Sequence, residues 1–157
     1  MNKKLLYFIT LSFFLLFNNI SIKAQSNWEL GLRAGDLSGI DATIPLAMAP
    51  RLHPTVYLFE KHISAGVYFD WLFSLQDGPA GLKFYPGLGP EIYFGPEVEV
   101  GAAGNFGAEY SFDFPLTVAI DWRPGFIVTE GLHWHSDNIG IIARFRFGEG
   151  VKFKRAN

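Results

Sequence analysis

Residues 62–75 read HISAGVYFDWLFSL, and the spacing of apolar side chains in this stretch decides the fold. Ile63, Ala65, Val67, Phe69, Trp71, Phe73 and Leu75 fall on one face of an extended chain, and Ser64, Gly66, Tyr68, Asp70 and Ser74 fall on the other. A period of two belongs to a β-strand, where successive side chains point to opposite faces. The same alternation recurs on both sides. Trp28, Leu30, Leu32 and Ala34 oppose Glu29, Gly31, Arg33 and Gly35. Ile40, Ala42, Ile44 and Leu46 oppose Asp41 and Thr43. Leu116, Val118, Ile120 and Trp122 oppose Thr117, Ala119, Asp121 and Arg123. Ile139, Ile141, Ala143, Phe145 and Phe147 oppose Gly140, Arg144, Arg146 and Gly148, with Ile142 alone out of step.

These patterns predict eight strands, at about 27–35, 39–47, 51–60, 62–75, 80–95, 97–112, 115–128 and 137–148. Turn residues separate them at Gly35-Asp36, Ala49-Pro50, Glu60-Lys61, Asp77-Gly78-Pro79, Gly95-Pro96 and Asp113 to Pro115. The third strand is ambiguous, because Thr55 to Phe59 is apolar on both faces. Pro86-Gly87-Leu88-Gly89-Pro90 is expected to bulge or bend the fifth, and Gly101, Gly104 and Gly107 to kink the sixth. The longest connection runs from Pro124 to Asn138.

Composition narrows the class. Of 157 residues, 49% are apolar, 17% aromatic and only 18% charged, which excludes a disordered chain. The absence of Cys excludes a disulfide framework, a thiolate metal cluster and a thiol nucleophile. A net charge of −2 leaves no basic footprint for nucleic acid. Lys3 and Lys4 precede the apolar run Leu5 to Phe17, and Ala24 offers a small residue before a cut. Residues 1–24 therefore read as a cleavable secretory signal peptide, since the apolar run falls short of the roughly 20 residues of a spanning helix. Residues 25–148 form the expected barrel domain. Residues 149–157, with Lys152, Lys154 and Arg155, form a short polar tail.

Alternation alone leaves two barrels open, one with the apolar face inside around a ligand and one with it outside against lipid. The apolar face carries Trp28, Phe69, Trp71, Phe84, Trp122 and Phe145 among other large rings, too many for the narrow lumen of eight strands. The polar face is rich in Gly and near neutral. Glu29, Asp41, Asp70, Glu91, Glu109 and Asp121 stand against Arg33, Lys83, Arg123, Arg144 and Arg146. Such a set suits structural ion pairs in a closed lumen, where an unpaired charge costs several kcal/mol. The expected fold is all-β: an eight-stranded antiparallel up-and-down transmembrane β-barrel behind a signal peptide. Trp28, Trp71, Phe73, Trp122, Trp134 and Phe147 are its expected membrane-interface aromatics.

From Gly101 onward the text carries further motifs. They are Gly107-Ala108-Glu109-Tyr110, Phe114-Pro115-Leu116, Ile120-Asp121-Trp122-Arg123-Pro124 and Ile141-Ile142-Ala143-Arg144-Phe145-Arg146-Phe147. In this order they resemble the small, porin-like outer-membrane β-barrel proteins of Gram-negative bacteria, similar in architecture to the OmpA transmembrane domain. The resemblance covers the final third well and Trp28 to Leu46 loosely. It implies an eight-stranded barrel in the cell outer membrane, with outer-membrane lipid and the barrel-assembly machinery as partners and no common catalytic activity. One departure is that Phe147 is followed by ten further residues, whereas such barrels usually end on an aromatic.

Sites for chemistry are sparse. His133 and His135 point the same way on an extended segment and form a weak candidate metal pair. Two His are only part of a coordination sphere, so a polar external loop is the expected reading, with no metal and no cofactor. His53 and His62 read as turn residues. Glu91, Glu97 and Glu99 read as a solvated acidic cluster beside a turn. No Ser–His pair shares the outward face, and no enzyme is expected. The expected function is an integral outer-membrane barrel with a narrow or plugged polar lumen, in a structural, adhesive or minor permeability role. The alternatives are a soluble periplasmic barrel that binds an apolar ligand and a lipid-acting outer-membrane enzyme.

Overall fold

The computed structural model describes residues 28–59, 62–75, 78–129 and 131–148, with only the backbone of residues 59 and 62. The expected signal peptide and polar tail lie outside the described residues. Among the described residues all the elements are strands: β1 Trp28–Gly35, β2 Gly39–Pro45, β3 Pro50–Phe59, β4 His62–Trp71, β5 Phe73–Ser74, β6 Leu82–Phe94, β7 Val98–Ser111, β8 Leu116–Trp122, β9 Gly125–Ile127, β10 His133–His135 and β11 Ile139–Phe147. Each pairs antiparallel with its neighbour in the order β1, β2, β3, β4, β6, β7, β8, β11, and β11 returns to β1. The result is a closed eight-stranded barrel. Closure satisfies every sheet edge around the ring, which an open sheet cannot do. Trp28 faces Phe147 across the closing seam, and Gly35 faces Gly140.

The three short strands extend this ring. β5 continues β4 past Leu72, since the register Asp70↔Gly87 carries on as Phe73↔Phe84. β9 continues β8 past Arg123-Pro124, facing β7 as Gly101↔Ile127 and Ala103↔Gly125. β10 pairs with β9 and stands above β11. The expected loop from Pro124 to Asn138 is therefore in part an extension of the wall, through β9 and β10. The Pro-Gly segment of β6 does not bulge. Its register against β7 is unbroken from Leu82↔Tyr110 to Phe94↔Val98, and its register against β4 is the same on both sides of Gly89-Pro90. β7 likewise runs unbroken through its glycines. Around the circuit the register offsets add up to a shear of about ten residues, which tilts the strands by about 40°.

Alternation sorts side chains into two environments. Inward positions hold the buried residues, nearly all of them polar or aromatic hydroxyl groups. The ambiguity in β3 resolves with Thr55 and Tyr57 inward and Val56 and Leu58 outward. Ile142, out of step in sequence, is a buried aliphatic on the inward face of β11. Two inward glycines admit large neighbours. A Cβ on Gly107 would collide with the Tyr85 phenol and come within 2.8 Å of the Ile120 carbonyl oxygen. A Cβ on Gly140 would meet the Arg33 guanidinium, with Nε 2.6 Å away. Gly107→Ala should therefore lower stability by about 2 kcal/mol through overpacking, read as a lower urea midpoint of the refolded barrel.

Candidate functional site

Among the described residues, the polar lumen is the place where chemistry-bearing side chains converge. Its centre is Asp41 on β2. Arg144 Nη1 donates to it at 2.9 Å, Arg123 Nη2 at 3.0 Å and Thr55 Oγ1 at 2.8 Å. The His53 ring sits between two carboxylates, with Nε2 2.8 Å from Asp41 Oδ2 and Nδ1 2.7 Å from Asp70 Oδ2. Arg51 Nε and Asn105 Nδ2 also donate to Asp70, at 3.1 and 2.7 Å. All these side chains are buried.

Arg144 spends its whole guanidinium on carboxylates. Nε donates to Glu29 at 2.8 Å, Nη1 to Asp41, and Nη2 to Glu109 at 2.7 Å. Glu109 also accepts from Arg51 Nη1 at 2.7 Å. Glu29 accepts from the hydroxyls of Thr117 and Thr43 at 2.8 and 3.2 Å. Asp121 accepts from Arg33 Nη2 at 2.9 Å and from Arg123 Nε at 2.7 Å. Seven strands of the ring, all but β6, thus contribute charged groups to one network, which ties non-neighbouring strands across the lumen.

A hydrogen-bonded chain climbs from this core toward the end where β1 turns into β2, here termed the upper end. Arg123 Nη1 donates to the Tyr57 hydroxyl at 2.6 Å, and the Tyr57 and Tyr68 hydroxyls lie 2.9 Å apart. Tyr68 donates to Glu91, which also accepts from Tyr93 at 2.5 Å. The Arg123 guanidinium stands over the Tyr68 ring, 4.7 Å from its centroid.

The lumen residues expected from sequence fall in several places. Glu29, Arg33, Asp41, Asp70, Glu109, Asp121, Arg123 and Arg144 are buried in the network. Lys83 and Arg146 are half-buried at the lower end. Lys83 faces Glu109 in register, yet the ion-pair partners of Glu109 are Arg51 and Arg144. Arg146 donates to the backbone carbonyls of Phe112 and Phe114, so its partners are carbonyls rather than the expected carboxylates. His53 corrects its reading as a turn residue: it is fully buried at the centre of the lumen. Arg51, Tyr85 and Asn105 were also missed. The signal for Arg51, His53 and Thr55 was their spacing of two, masked because Pro50 and Pro54 fall on the alternate positions of the same strand.

The two histidines of β10 part company with the metal reading. His133 is exposed. His135 turns to the upper lumen, with Nε2 3.3 Å from the Tyr93 hydroxyl and 3.7 Å from Glu91 Oε2. No three His, Asp or Glu side chains converge on a metal-sized point among the described residues. Of the expected interface aromatics, Trp28, Trp71, Phe73, Trp122 and Trp134 are exposed on the outer surface, and Phe147 stacks on Trp28 with centroids 4.2 Å apart.

Set against known proteins, the chain matches no family model, no curated protein and no solved structure. The geometry itself therefore carries the functional reading. Charged groups paired with one another fill the lumen, and among the described buried side chains only Arg51 Nη2, the Tyr85 hydroxyl and the Asn138 amide have no hydrogen-bond partner. A passing ion would have to separate guanidinium–carboxylate pairs held away from water, at several kcal/mol for each charge left behind. Arg144→Ala takes the shared cation from three buried carboxylates at once. It should cost about 3–5 kcal/mol in urea unfolding, against about 1 kcal/mol for Arg146→Ala, which frees only carbonyls near the lower rim.

Proposed function

We propose that this protein is an integral outer-membrane β-barrel with a plugged polar lumen, serving a structural, adhesive or minor permeability role. One observation carries the reading. Every outward position of the eight ring strands whose side chain is described is apolar. On β7 these positions are Val98, Val100, Ala102, Gly104, Phe106, Ala108 and Tyr110, and on β4 they are Ile63, Ala65, Val67, Phe69 and Trp71. No charged or amide side chain interrupts this surface on any ring strand. Water does not select such a skin on a monomeric protein, whose contiguous apolar patches rarely exceed a few hundred Å². Hydrocarbon does, and only a closed barrel lets strands enter it with all backbone groups bonded.

The same sorting weakens the two alternatives. A carrier of apolar ligands needs an apolar lumen, whereas Trp71, Trp122 and Phe145 face out and the interior is a salt-bridge network. A lipid-acting enzyme needs a nucleophile at the lipid face, and the described outward positions hold no Ser or His. The N-terminal segment 1–24 supports export as a signal peptide, by its charged start and short apolar run.

Two measurements test the reading. The folded protein should sediment with outer membranes and migrate differently in detergent gels before and after boiling. Recovery in the osmotic-shock fluid would end the membrane assignment. In planar bilayers the refolded protein should give a closed trace, and steady ohmic channels would end the plugged-lumen part alone.

A further inference from the structure

The apolar outer surface is not a belt of even height. The lower end is level. After allowing for the shear, Trp28, Phe147, Tyr110, Phe84, Phe73 and Trp71 come within about 8 Å of one plane. The upper end is not. At about 3.3 Å per residue and about 40° of tilt, each residue adds about 2.5 Å of height. On β1 the outward apolar positions run only from Trp28 to Ala34, about 15 Å of height, and the polar turn Asp36 to Ser38 follows at once. β2 is shorter still, at 7 residues. On β7 the outward apolar positions run from Tyr110 to Val98, about 30 Å, and β6 reaches the same level at Phe94. The extension adds Phe126 on β9 above β8 and Trp134 on β10 above β11, which leaves β1 and β2 as the low side. β6 lies four strands from β1 in either direction around the ring, so the tall and short walls are opposite each other.

We propose that the short wall, β1–β2, is a membrane-thinning face: the bilayer beside it dips by about 10 Å relative to the roughly 25 Å apolar band of such barrels. The occupant of this face is lipid whose acyl chains are tilted or compressed, because above Trp28 the wall offers them only Leu, Ile and Ala side chains up to the polar turn. The level lower ring selects thinning over the other response to mismatch, which is tilting of the whole barrel. A tilt large enough to sink the short wall would lift one side of the Trp28, Phe147 and Trp71 ring out of its interface by a similar distance. This inference rests on the membrane reading above and adds the side of the barrel on which the bilayer is deformed.

The chain has no Cys, so single cysteines report cleanly. Leu32 on β1 and Leu88 on β6 are both outward, both well exposed (68% and 73%), and level to within about 3 Å. Leu32→Cys and Leu88→Cys would each carry a nitroxide in the refolded protein, in dioleoylphosphatidylcholine vesicles. Depth is then read from collision with oxygen against a water-soluble nickel chelate. The Leu32 label should collide with the chelate several-fold more often than the Leu88 label. Equal, lipid-buried depths would overturn the thinning face while leaving the membrane reading intact. Chelate access at both positions equal to that of a water-exposed residue would overturn both. A lower pair, Ile44→Cys and Phe84→Cys, should give equal depths. Unequal depths there would mean that the barrel tilts, which also overturns the proposal.

Discussion

Guanidinium–carboxylate pairing inside a closed ring is the constraint on which the rest of the structure depends. An eight-stranded lumen is too narrow for bulk water yet too wide to leave empty. Filling it with apolar rings would leave no apolar residues for the outside. Filling it with charges works only if they cancel and each polar atom finds a partner. Arg144 shows how tightly this is solved, with three nitrogens on three carboxylates from three different strands. Asp41 and His53 extend the same logic to β2, β3 and β4. The network fixes the register of each contributing strand, because a slip of one residue would swing a buried charge into the outer surface.

That constraint spreads to the smallest residues. Tyr85 and Arg33 find room only because Gly107 and Gly140 stand next to them without side chains. Inward glycine is thus the complement of inward arginine and tyrosine: each bulky group lies over a bare stretch of backbone. Ring closure, neutral filling and glycine spacing agree, and agreement between levels is what makes one fold specific.

Much of this was legible in the sequence, and the reason is geometric. Period-two alternation is a local property, so strands such as Leu116–Trp122 and Ile139–Phe147 declare both their extent and their two faces. The charges of the interior were legible for the same reason. The core of β3 was not. Arg51, His53 and Thr55 alternate with Pro50, Leu52 and Pro54, and proline is a poor marker of either a strand or an apolar face. The segment Pro124 to Asn138 was misjudged because its pairing with Gly101 to Ala103 is long-range, and nothing local distinguishes a paired extension from a free loop. Prolines and glycines in β6 suggested a bulge, yet the register on both sides held the strand straight.

The seam between β1 and β11 has a consequence for how the ring is assembled. It joins the first described strand to the last, and Arg144 reaches Glu29 across 115 positions of chain. No partial product of synthesis that stops short of Arg144 contains this contact. Until the final strand arrives, the growing sheet has two bare edges, and Asp41, Glu29 and Glu109 lack their shared cation. Such a precursor is a sticky ribbon with buried-type carboxylates in the open, slow to find its end state because its decisive contacts are the most distant. The finished ring is hard to reopen for the same reason: parting the seam breaks a ladder of backbone bonds and strands several charges together.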